Sequence, residues 1–357
     1  MSFSLKYRPL VLEDMIGQDA AVLQIKGMFE RSEIAPSFLI TGPTGSGKTT
    51  LARIIARMAN DEAPDSTELT DTVEINGAEA RGIDDVRQLI KVSKYAPKKN
   101  YRVFILDEIH QWTPQAKQAF LKALEEPSKR TLFILCTNEP EKLPNTIIGR
   151  CQQIRLSRVT LKDCSLLLRD VAKKEGFDFP VDVLKQIAHL TRAHPRDALQ
   201  ALEAVCNYAA GGGDVSETEK VVSAIEQVVL VPPSDYLHKY LLSIYKGKYT
   251  TALRIVTQVD NVDYFLSCIM DTHRQAMFSL ISPKLVDSYS KRWTSTLKEN
   301  DITKQSISTP LMSFMLDEMV KSASLVKEHS GVDGNHVLVA MTARLVTKVK
   351  NAQDDEG

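Results

Sequence analysis

A glycine-rich loop near the start of the chain has the sequence Gly42-Pro43-Thr44-Gly45-Ser46-Gly47-Lys48-Thr49. The residues before it, 37–41, are apolar like a buried strand, and those after it, from Thr50 to Arg57, have helical periodicity. Glycines let the backbone N–H groups turn inward, and a helix N-terminus adds partial positive charge. The pattern predicts a loop that binds a triphosphate, with Lys48 on the β- and γ-phosphates and Thr49 on Mg²⁺. An incidental glycine-rich turn is the alternative.

The composition is that of a globular protein of two or three domains, with 357 residues, 43% hydrophobic and 25% charged. Because 45 basic residues balance 45 acidic ones, DNA binding would need a local patch or several copies of one patch side by side. No apolar run is long enough to span a membrane, and the N-terminus lacks the plan of a signal peptide. We therefore expect a cytoplasmic protein with no membrane partner.

The cysteines are scattered and form no C-x-x-C pair, which argues against a zinc site or a disulfide framework. We expect buried apolar thiols at all five positions. These are Cys136, Cys151, Cys164, Cys206 and Cys268.

Short apolar strands alternate with helical patterns from residue 38 to residue 157, which predicts a parallel sheet with helices on both faces. The predicted strands are Phe38–Thr41, Val73–Ile75, Val103–Asp107, Leu132–Thr137 and Gln153–Leu156. After residue 160 the pattern is helical throughout. Breaks are predicted at Gly211-Gly212-Gly213 and at Pro232-Pro233, and a helix start with a capping box at Ser216–Glu219.

Two adjacent acids, Asp107 and Glu108, end an apolar strand whose carboxyl edge would face the ligand crevice of an open α/β sheet. Asp107 would hold Mg²⁺ directly or through water, and Glu108 would polarise the attacking water as general base. The alternative is an acidic pair that merely ends a strand.

Three further polar residues are candidates for contacts with the phosphates. Asn138 ends another buried strand, and its amide could hold the attacking water or a γ-phosphate oxygen, unless it is an ordinary turn residue. Arg150 precedes the last strand and suits a transition state of spreading negative charge, although it could be a plain surface arginine. Arg196, after Pro195, could touch the γ-phosphate and link helix angle to the bound nucleotide, or it could pair with Asp197.

These motifs, in this order, resemble the AAA+ ATPases of replicative clamp loaders, especially the bacterial gamma/tau motor subunit and its phage and RFC small-subunit relatives. The resemblance covers about residues 5–228. Its most specific part is Lys142-Leu143-Pro144-Asn145-Thr146-Ile147-Ile148-Gly149-Arg150-Cys151, which is similar to a Ser-Arg-Cys element whose arginine enters the neighbouring subunit's site. Leu124-Glu125-Glu126-Pro127 and Asp107-Glu108-Ile109-His110 also resemble family landmarks.

The resemblance implies an α/β AAA+ P-loop domain with a five-stranded parallel sheet in the order 5-1-4-3-2. It also implies a division into a nucleotide-binding domain (1–159), a helical lid (160–230), a helical collar that joins subunits (231–350) and a disordered tail (351–357). Asn138 becomes sensor 1, Arg150 the trans arginine finger, and Pro195 with Arg196 the sensor 2 element. Residues similar to the family's adenine-wrapping segment are Tyr7, Arg8, Pro9, Ile16 and Gly17.

DNA contacts are implied at Arg81 and Arg87, near a predicted helix start, and at Thr113, which starts the helix after the acidic box. Gln118 resembles a polar residue that couples neighbouring subunits and DNA to the acidic box, although a simple exposed glutamine is nearly as good an interpretation. Such contacts would be salt-sensitive and independent of base sequence.

Two departures from the family pattern stand out. Gly149 replaces the usual serine before the finger, and the zinc cysteines of the bacterial subunit have no counterpart between the phosphate loop and the acidic box. Together they favour a phage or otherwise divergent version without zinc.

The sequence predicts an ATP- and Mg²⁺-dependent ATPase subunit of a clamp loader. Its implied partners are a sliding clamp, primer-template DNA and other subunits in a hetero-pentamer with several copies of this chain. An AAA+ DNA-remodelling motor, such as a branch-migration helicase, is a second hypothesis. A non-catalytic clamp-loader subunit is a third, and the intact phosphate loop and acidic box argue against it.

Overall fold

The structure is a computed structural model, and the chain divides into two compact units, residues 1–225 and 226–357. Each unit is described by itself. The described residues are 2–66, 69–213, 215, 234–259, 262–281, 297, 299–300, 302, 307–328 and 333–354. The predicted helix start at 216–219 and the predicted break at 232–233 lie outside them.

The first unit contains a five-stranded parallel sheet with the strand order β2-β3-β4-β1-β5. Its strands are β1 (Ser37–Thr41), β2 (Thr72–Asn76), β3 (Arg102–Asp107), β4 (Thr131–Thr137) and β5 (Gln152–Arg155). The order is the predicted 5-1-4-3-2 taken from the other edge, and each strand overlaps its predicted range. The fold class predicted from the sequence is therefore confirmed.

Helices cover both faces of this sheet, because alternate residues of each strand point to opposite sides. One face packs on α2 (Asp19–Glu30) and α3 (Lys48–Ala59), and the other packs on α4 (Ile83–Ser93) and α5 (Pro114–Glu125). On the second face Phe133 of β4 contacts Phe120 of α5 edge-to-face at 5.1 Å between ring centroids. Burial of these rings fixes α5 relative to the central strands.

Five further helices are described in the first unit. They are α1 (Phe3–Lys6) at the N-terminus, α6 (Asn145–Ile148) before β5, and α7 (Leu161–Lys174), α8 (Val181–Leu190) and α9 (Pro195–Ala210) after the sheet. Single 3₁₀ turns lie at Leu12–Asp14, Ile109–Gln111 and Pro140–Lys142. Thr160 begins α7 as an N-cap, since its hydroxyl accepts a hydrogen bond from the backbone N–H of Asp163 at 3.1 Å.

The second unit is helical over its described residues. Its helices are α10 (Ser234–Tyr245), α11 (Tyr249–Val256), α12 (Val262–Ile281), α13 (Thr309–Glu328) and α14 (Gly334–Asp354). The helix α14 continues into the segment 351–357 predicted to be a disordered tail, because Ala352 still packs against the apolar core of this unit. None of the described helices is both long and apolar enough to cross a membrane.

All five cysteines are free thiols. Cys151 is half-buried and the other four are buried. In the described ranges no three His, Cys, Asp or Glu side chains are grouped as a metal site would require.

Candidate nucleotide-binding site

The phosphate loop connects β1 to α3, as expected for a strand-to-helix turn. Gly45 and Gly47 have backbone φ angles of +73° and +95°, a left-handed region in which residues with a Cβ are strained. Lys48 is the first residue of α3, so the free N–H groups of the helix start point toward the loop. The loop therefore has the backbone that an anion site at a helix N-terminus needs.

Lys48 is only 7% exposed, and its side chain folds back onto the loop itself. Its Nζ donates hydrogen bonds to the carbonyl oxygens of Gly42 and Pro43, both at 3.0 Å. Burial lowers the pKa of Lys48, while the nearby Asp107 and Glu108 act in the opposite direction. A phosphate oxygen would give this ammonium a charged partner in place of two neutral carbonyls.

The phosphate loop and the acidic box meet at one pair of side chains. Thr49 Oγ1 donates a hydrogen bond of 2.5 Å to Oδ2 of Asp107, at the end of β3. A hydroxyl and a carboxylate oxygen at this separation form a donor set suited to a hard cation such as Mg²⁺. Both residues predicted to hold the metal are therefore adjacent, and their chemistry fits it.

Glu108 adopts a left-handed backbone conformation, with φ +53° and ψ 36°, which is uncommon for a residue with a side chain. The turn is held by Gly77, whose backbone N–H donates to the carbonyl oxygen of Asp107 at 2.7 Å. A Cβ on Gly77 would lie 2.8 Å from the carbonyl oxygen of Glu108, so only glycine fits there. The sheet edge thus fixes the turn that presents the Glu108 carboxylate.

His110 was not assigned a role by sequence reasoning, although it lies within the acidic box. Its ring is almost fully buried, with Nε2 at 3.3 Å from Glu108 Oε2 and Nδ1 at 3.0 Å from Thr137 Oγ1. It therefore joins the ends of β3 and β4. Its position two residues after Glu108 is the only sequence signal that could have identified it.

Asn138 follows β4 directly, next to Thr137. Its Oδ1 is buried and has no hydrogen-bond partner among the described residues. An orphaned buried acceptor carries a free-energy cost, so such atoms are commonly satisfied by a ligand or by water. This observation favours the sensor role over that of an ordinary turn residue.

The predicted adenine segment lies between the sheet domain and helices α7 and α9. The Tyr7 hydroxyl donates to Glu175 Oε1 at 2.5 Å, and burial together with this carboxylate raises the pKa of Tyr7. Gly17 has a φ of +67°, and a Cβ there would lie 3.3 Å from Asp163 Oδ2. Met15 packs close to Gly47, so this segment reaches the phosphate loop.

Arg8, Pro9 and Ile16 lie in the same segment, and they are half-buried or nearly so, without a side-chain hydrogen bond between described residues. Their contact with the base therefore stays a prediction.

Gln18 is a buried residue whose function sequence reasoning missed. Its amide bonds both backbone groups of Ser157, donating from Nε2 to the carbonyl oxygen and accepting at Oε1 from the N–H, each at 2.9 Å. Ser157 lies just before α7, where the chain leaves the sheet. Gln18 thus ties the N-terminal segment to the connection between β5 and α7.

Arg150 is not brought to the phosphate loop of its own chain. Its guanidinium pairs with Glu125 Oε1 at 2.6 Å, at the end of α5, and donates to the carbonyl oxygen of Thr146 at 2.8 Å. Both the arginine and the glutamate are partly exposed to solvent. This position is compatible with a finger that serves another subunit.

Pro195 is the first residue of α9, and Arg196 is exposed beside it. The alternative interpretation paired Arg196 with Asp197, but Asp197 contacts His194 instead, at 3.0 Å from Nδ1. Among the described residues Arg196 forms no ion pair. His194 Nε2 lies 2.6 Å from the carbonyl oxygen of Thr44, so the start of α9 lies against the phosphate loop.

The candidate DNA contacts lie around the starts of α4 and α5. The Thr113 N–H donates to the carbonyl oxygen of Arg81 at 3.2 Å, which places these two residues side by side. Arg87 is exposed on α4 and pairs with Asp84 at 3.2 Å. Gln118 is exposed one turn into α5. The four side chains therefore lie on surface elements of the same face of the sheet.

Comparison with known proteins finds relatives that include several subunits of bacterial DNA polymerase III. A family model described as DNA polymerase III, delta subunit, matches residues 17–160. The tau subunit of Bacillus subtilis DNA polymerase III is 30% identical over 251 residues, 65% of this chain and 44% of the relative. The gamma subunit of DNA polymerase III from Buchnera aphidicola subsp. Schizaphis graminum is 32% identical, over 56% of this chain and 59% of the relative. The chain thus spans about half the length of these relatives.

Solved structures share the fold. The Holliday junction branch migration motor RuvB of Thermotoga maritima matches with a TM-score of 0.53 and 20% sequence identity, over 68% of this chain and 81% of that one. At this identity the likeness establishes the fold alone. The sheet order, the phosphate loop with its acidic box, and the sequence relatives agree, and the chain is similar to the gamma and tau subunits of bacterial DNA polymerase III.

Proposed function

We propose that this chain is an ATPase motor subunit of a loader that places a sliding clamp on primer-template DNA. ATP binding would assemble several copies, with other subunits, into a hetero-pentamer on the clamp and DNA, and hydrolysis would release the closed clamp. The observation that supports this most is that the phosphate loop meets the acidic box, whereas Arg150 of the same chain is held elsewhere, by Glu125. Part of the positive charge at each site would then come from the neighbouring subunit.

Within one chain the residues divide the chemistry of hydrolysis. Lys48 binds the β- and γ-phosphates, and Thr49 and Asp107 would hold Mg²⁺, which neutralises charge on these phosphates. Glu108 takes the proton of the attacking water as general base, and Asn138 orients that water or the γ-phosphate. Because Glu108 is fixed by the turn at Gly77, its carboxylate needs little reorganisation to act.

The lid would report which nucleotide is bound. Arg196 lies at the start of α9, and that helix contacts the phosphate loop through His194. A γ-phosphate would attract Arg196, and its loss would remove that attraction, so the lid angle would follow the nucleotide state.

A trapping experiment tests this function. With Glu108→Gln, we expect ATP, clamp and primer-template DNA to remain bound in one complex, whose mass gives the number of copies. Wild-type protein with ATP should release clamp on DNA. The substitution Lys48→Ala is the control that should fail to assemble at all.

The branch-migration hypothesis makes the opposite prediction. Such a motor would show sustained ATP-driven strand movement without a clamp, and Glu108→Gln would block that movement. Strand movement by the wild-type chain without a clamp would contradict the clamp-loader proposal.

A further inference from the structure

His194 fills a space directly on the phosphate loop. Its Nε2 lies 2.6 Å from the carbonyl oxygen of Thr44. A Cβ on Gly45 would lie only 2.2 Å from the ring atom Cε1, so the imidazole occupies the place of the missing side chain. There are thus two reasons for glycine at position 45. Its φ of +73° is strained for residues with a Cβ, and the His194 ring occupies the space that a Cβ would need.

Both nitrogens of this ring face groups that only accept hydrogen bonds. One is the carbonyl oxygen of Thr44 and the other is Oδ2 of Asp197, 3.0 Å from Nδ1 in an ion pair rather than an aligned hydrogen bond. A neutral imidazole has one N–H, and its other nitrogen would direct a lone pair at an oxygen. The geometry therefore favours the imidazolium form, with a proton on each nitrogen.

Two charged groups face the ring. Asp197 on α9 raises the pKa of His194, partial burial acts against it, and Arg158, between β5 and α7, lowers it. The balance keeps the pKa above its ordinary value, in favour of the charged ring.

We propose that protonated His194 is a positioning residue, which ties the start of α9 to the phosphate loop and so places Arg196 for the γ-phosphate of a nucleoside triphosphate. The inference rests on the proposed nucleotide site and adds to it a residue outside the motifs that the family resemblance supplied. Arg196 is two residues from His194, in the first turn of α9, so the contact of His194 with Thr44 limits movement of the backbone at Arg196.

The direction of the pH dependence follows from the charge. Below the raised pKa of His194 the ring donates to Thr44 and attracts Asp197. As the pH rises through that pKa, the ring loses one proton, and a lone pair then faces an oxygen. The start of α9 loosens, and affinity for the triphosphate should fall. Bound phosphates add negative charge nearby, so nucleotide binding should be accompanied by proton uptake in the same pH range.

The test measures binding of a fluorescent, non-hydrolysable ATP analogue to the full chain between pH 6 and 9. For wild type we expect affinity to fall by about fivefold across the titration, the difference between a charged and a neutral hydrogen bond. His194→Gln keeps a hydrogen-bond donor for Thr44 but carries no charge. Its affinity for the analogue should therefore be lower than that of wild type at low pH, and the remaining pH dependence should be that of the analogue's own phosphates. Asp197→Asn should move the wild-type midpoint to lower pH.

His194→Lys is the second variant. Its fixed positive charge should restore the affinity for the analogue without the pH dependence. If thermal melting shows that His194→Gln does not fold, His194→Lys is the variant to compare with wild type. Calorimetry in buffers of different ionisation enthalpy should detect proton uptake by wild type and not by His194→Lys.

A pH profile of His194→Gln identical to that of wild type would overturn the inference. So would wild-type binding without proton uptake at any pH in the range. Absence of analogue binding by wild type, matched by Lys48→Ala, would instead contradict the proposed nucleotide site.

Discussion

Thr49 and Asp107 are joined by a hydrogen bond of 2.5 Å from the threonine hydroxyl to the carboxylate, although 58 positions separate them in the sequence. Asp107→Asn should leave a neutral amide at this point, and Mg²⁺ binds carboxylate oxygen far better than amide oxygen when waters fill its remaining positions. We expect the gain in ATP affinity due to Mg²⁺ to fall by about tenfold or more, or about 1.4 kcal/mol. Nucleotide titrations with Mg²⁺ and with chelator measure it.

Thr49→Ser is the matched control, because serine keeps the hydroxyl. It should retain most of the Mg²⁺ effect. If Asp107→Asn gained as much affinity from Mg²⁺ as wild type, the assignment of this metal ligand would be wrong.

His110 joins Glu108, the proposed general base, to the end of β4, so His110→Ala should loosen Glu108 without touching the phosphate contacts. We expect kcat to fall by roughly tenfold, equivalent to about 1.4 kcal/mol of transition-state stabilisation, with KM for ATP unchanged. Leaving the buried Thr137 hydroxyl with one partner fewer should also cost about 1–3 kcal/mol of stability.

The control for this prediction is His336→Ala, since His336 is an exposed histidine on α14. Steady-state kinetics should separate the two variants. If His110→Ala raised KM for ATP by about tenfold and left kcat unchanged, His110 would have a role in binding instead.

The finger can be tested by mixing two inactive variants. Arg150→Ala should bind ATP normally but lose about 10³-fold in DNA-stimulated turnover, the usual contribution of an arginine finger. Lys48→Ala should fail to bind ATP but keep an intact Arg150. In assembled complexes that contain both, turnover should recover, because one chain then supplies the site and its neighbour the finger.

Arg31→Ala serves as the control, since Arg31 is an exposed arginine in a local ion pair with Glu33. It should not impair turnover. If complexes that contain both Arg150→Ala and Lys48→Ala formed but stayed inactive, Arg150 would not act in trans.

Gly77 lies directly after β2, where the backbone closely approaches the acidic turn. The substitution Gly77→Ala would place a methyl group 2.8 Å from the carbonyl oxygen of Glu108. We expect about 1–3 kcal/mol of destabilisation from this overpacking and a loss of turnover as the Glu108 turn shifts. Gly27→Ala is the comparison, because a Cβ there meets nothing within 4 Å in the middle of α2 and should stabilise by about 0.5–1 kcal/mol. Denaturant melts and ATPase rates measure both, and equal stability of the two variants would contradict the crowding argument.

The candidate DNA surface predicts a change in salt dependence. Arg81→Ala or Arg87→Ala should each weaken binding to primer-template DNA of any sequence and lower the slope of log affinity against log salt by about one. Lys98→Ala is the control, since Lys98 is an exposed lysine in the loop between α4 and β3. An unchanged slope for Arg81→Ala would remove it from the DNA contacts.

The three central strands could be predicted from the sequence because they are short apolar runs, and burial on both faces leaves such runs few alternatives. The edge strands β2 and β5 are largely exposed, and their prediction depended on the alternation of strand and helix patterns. The phosphate loop and the acidic box could also be predicted, since the residues of each motif are close together in the sequence. Polar contacts between residues that are distant in the sequence could not be predicted. The pairing of Arg150 with Glu125, and of His194 with the phosphate loop, depends on how helices pack and which rotamers result. The sequence patterns do not predict how these helices pack or which rotamers the side chains adopt.

The two hydrogen bonds between Gln18 and Ser157 have a mechanical consequence. Any movement of α7–α9 that displaces Ser157 must either carry Gln18 along or break both bonds, at a cost of about 1 kcal/mol each. The N-terminal segment, which is predicted to surround the base, would then shift together with the helix start that contacts the phosphate loop. One movement of these helices would therefore change the position of both parts of the proposed nucleotide site at once.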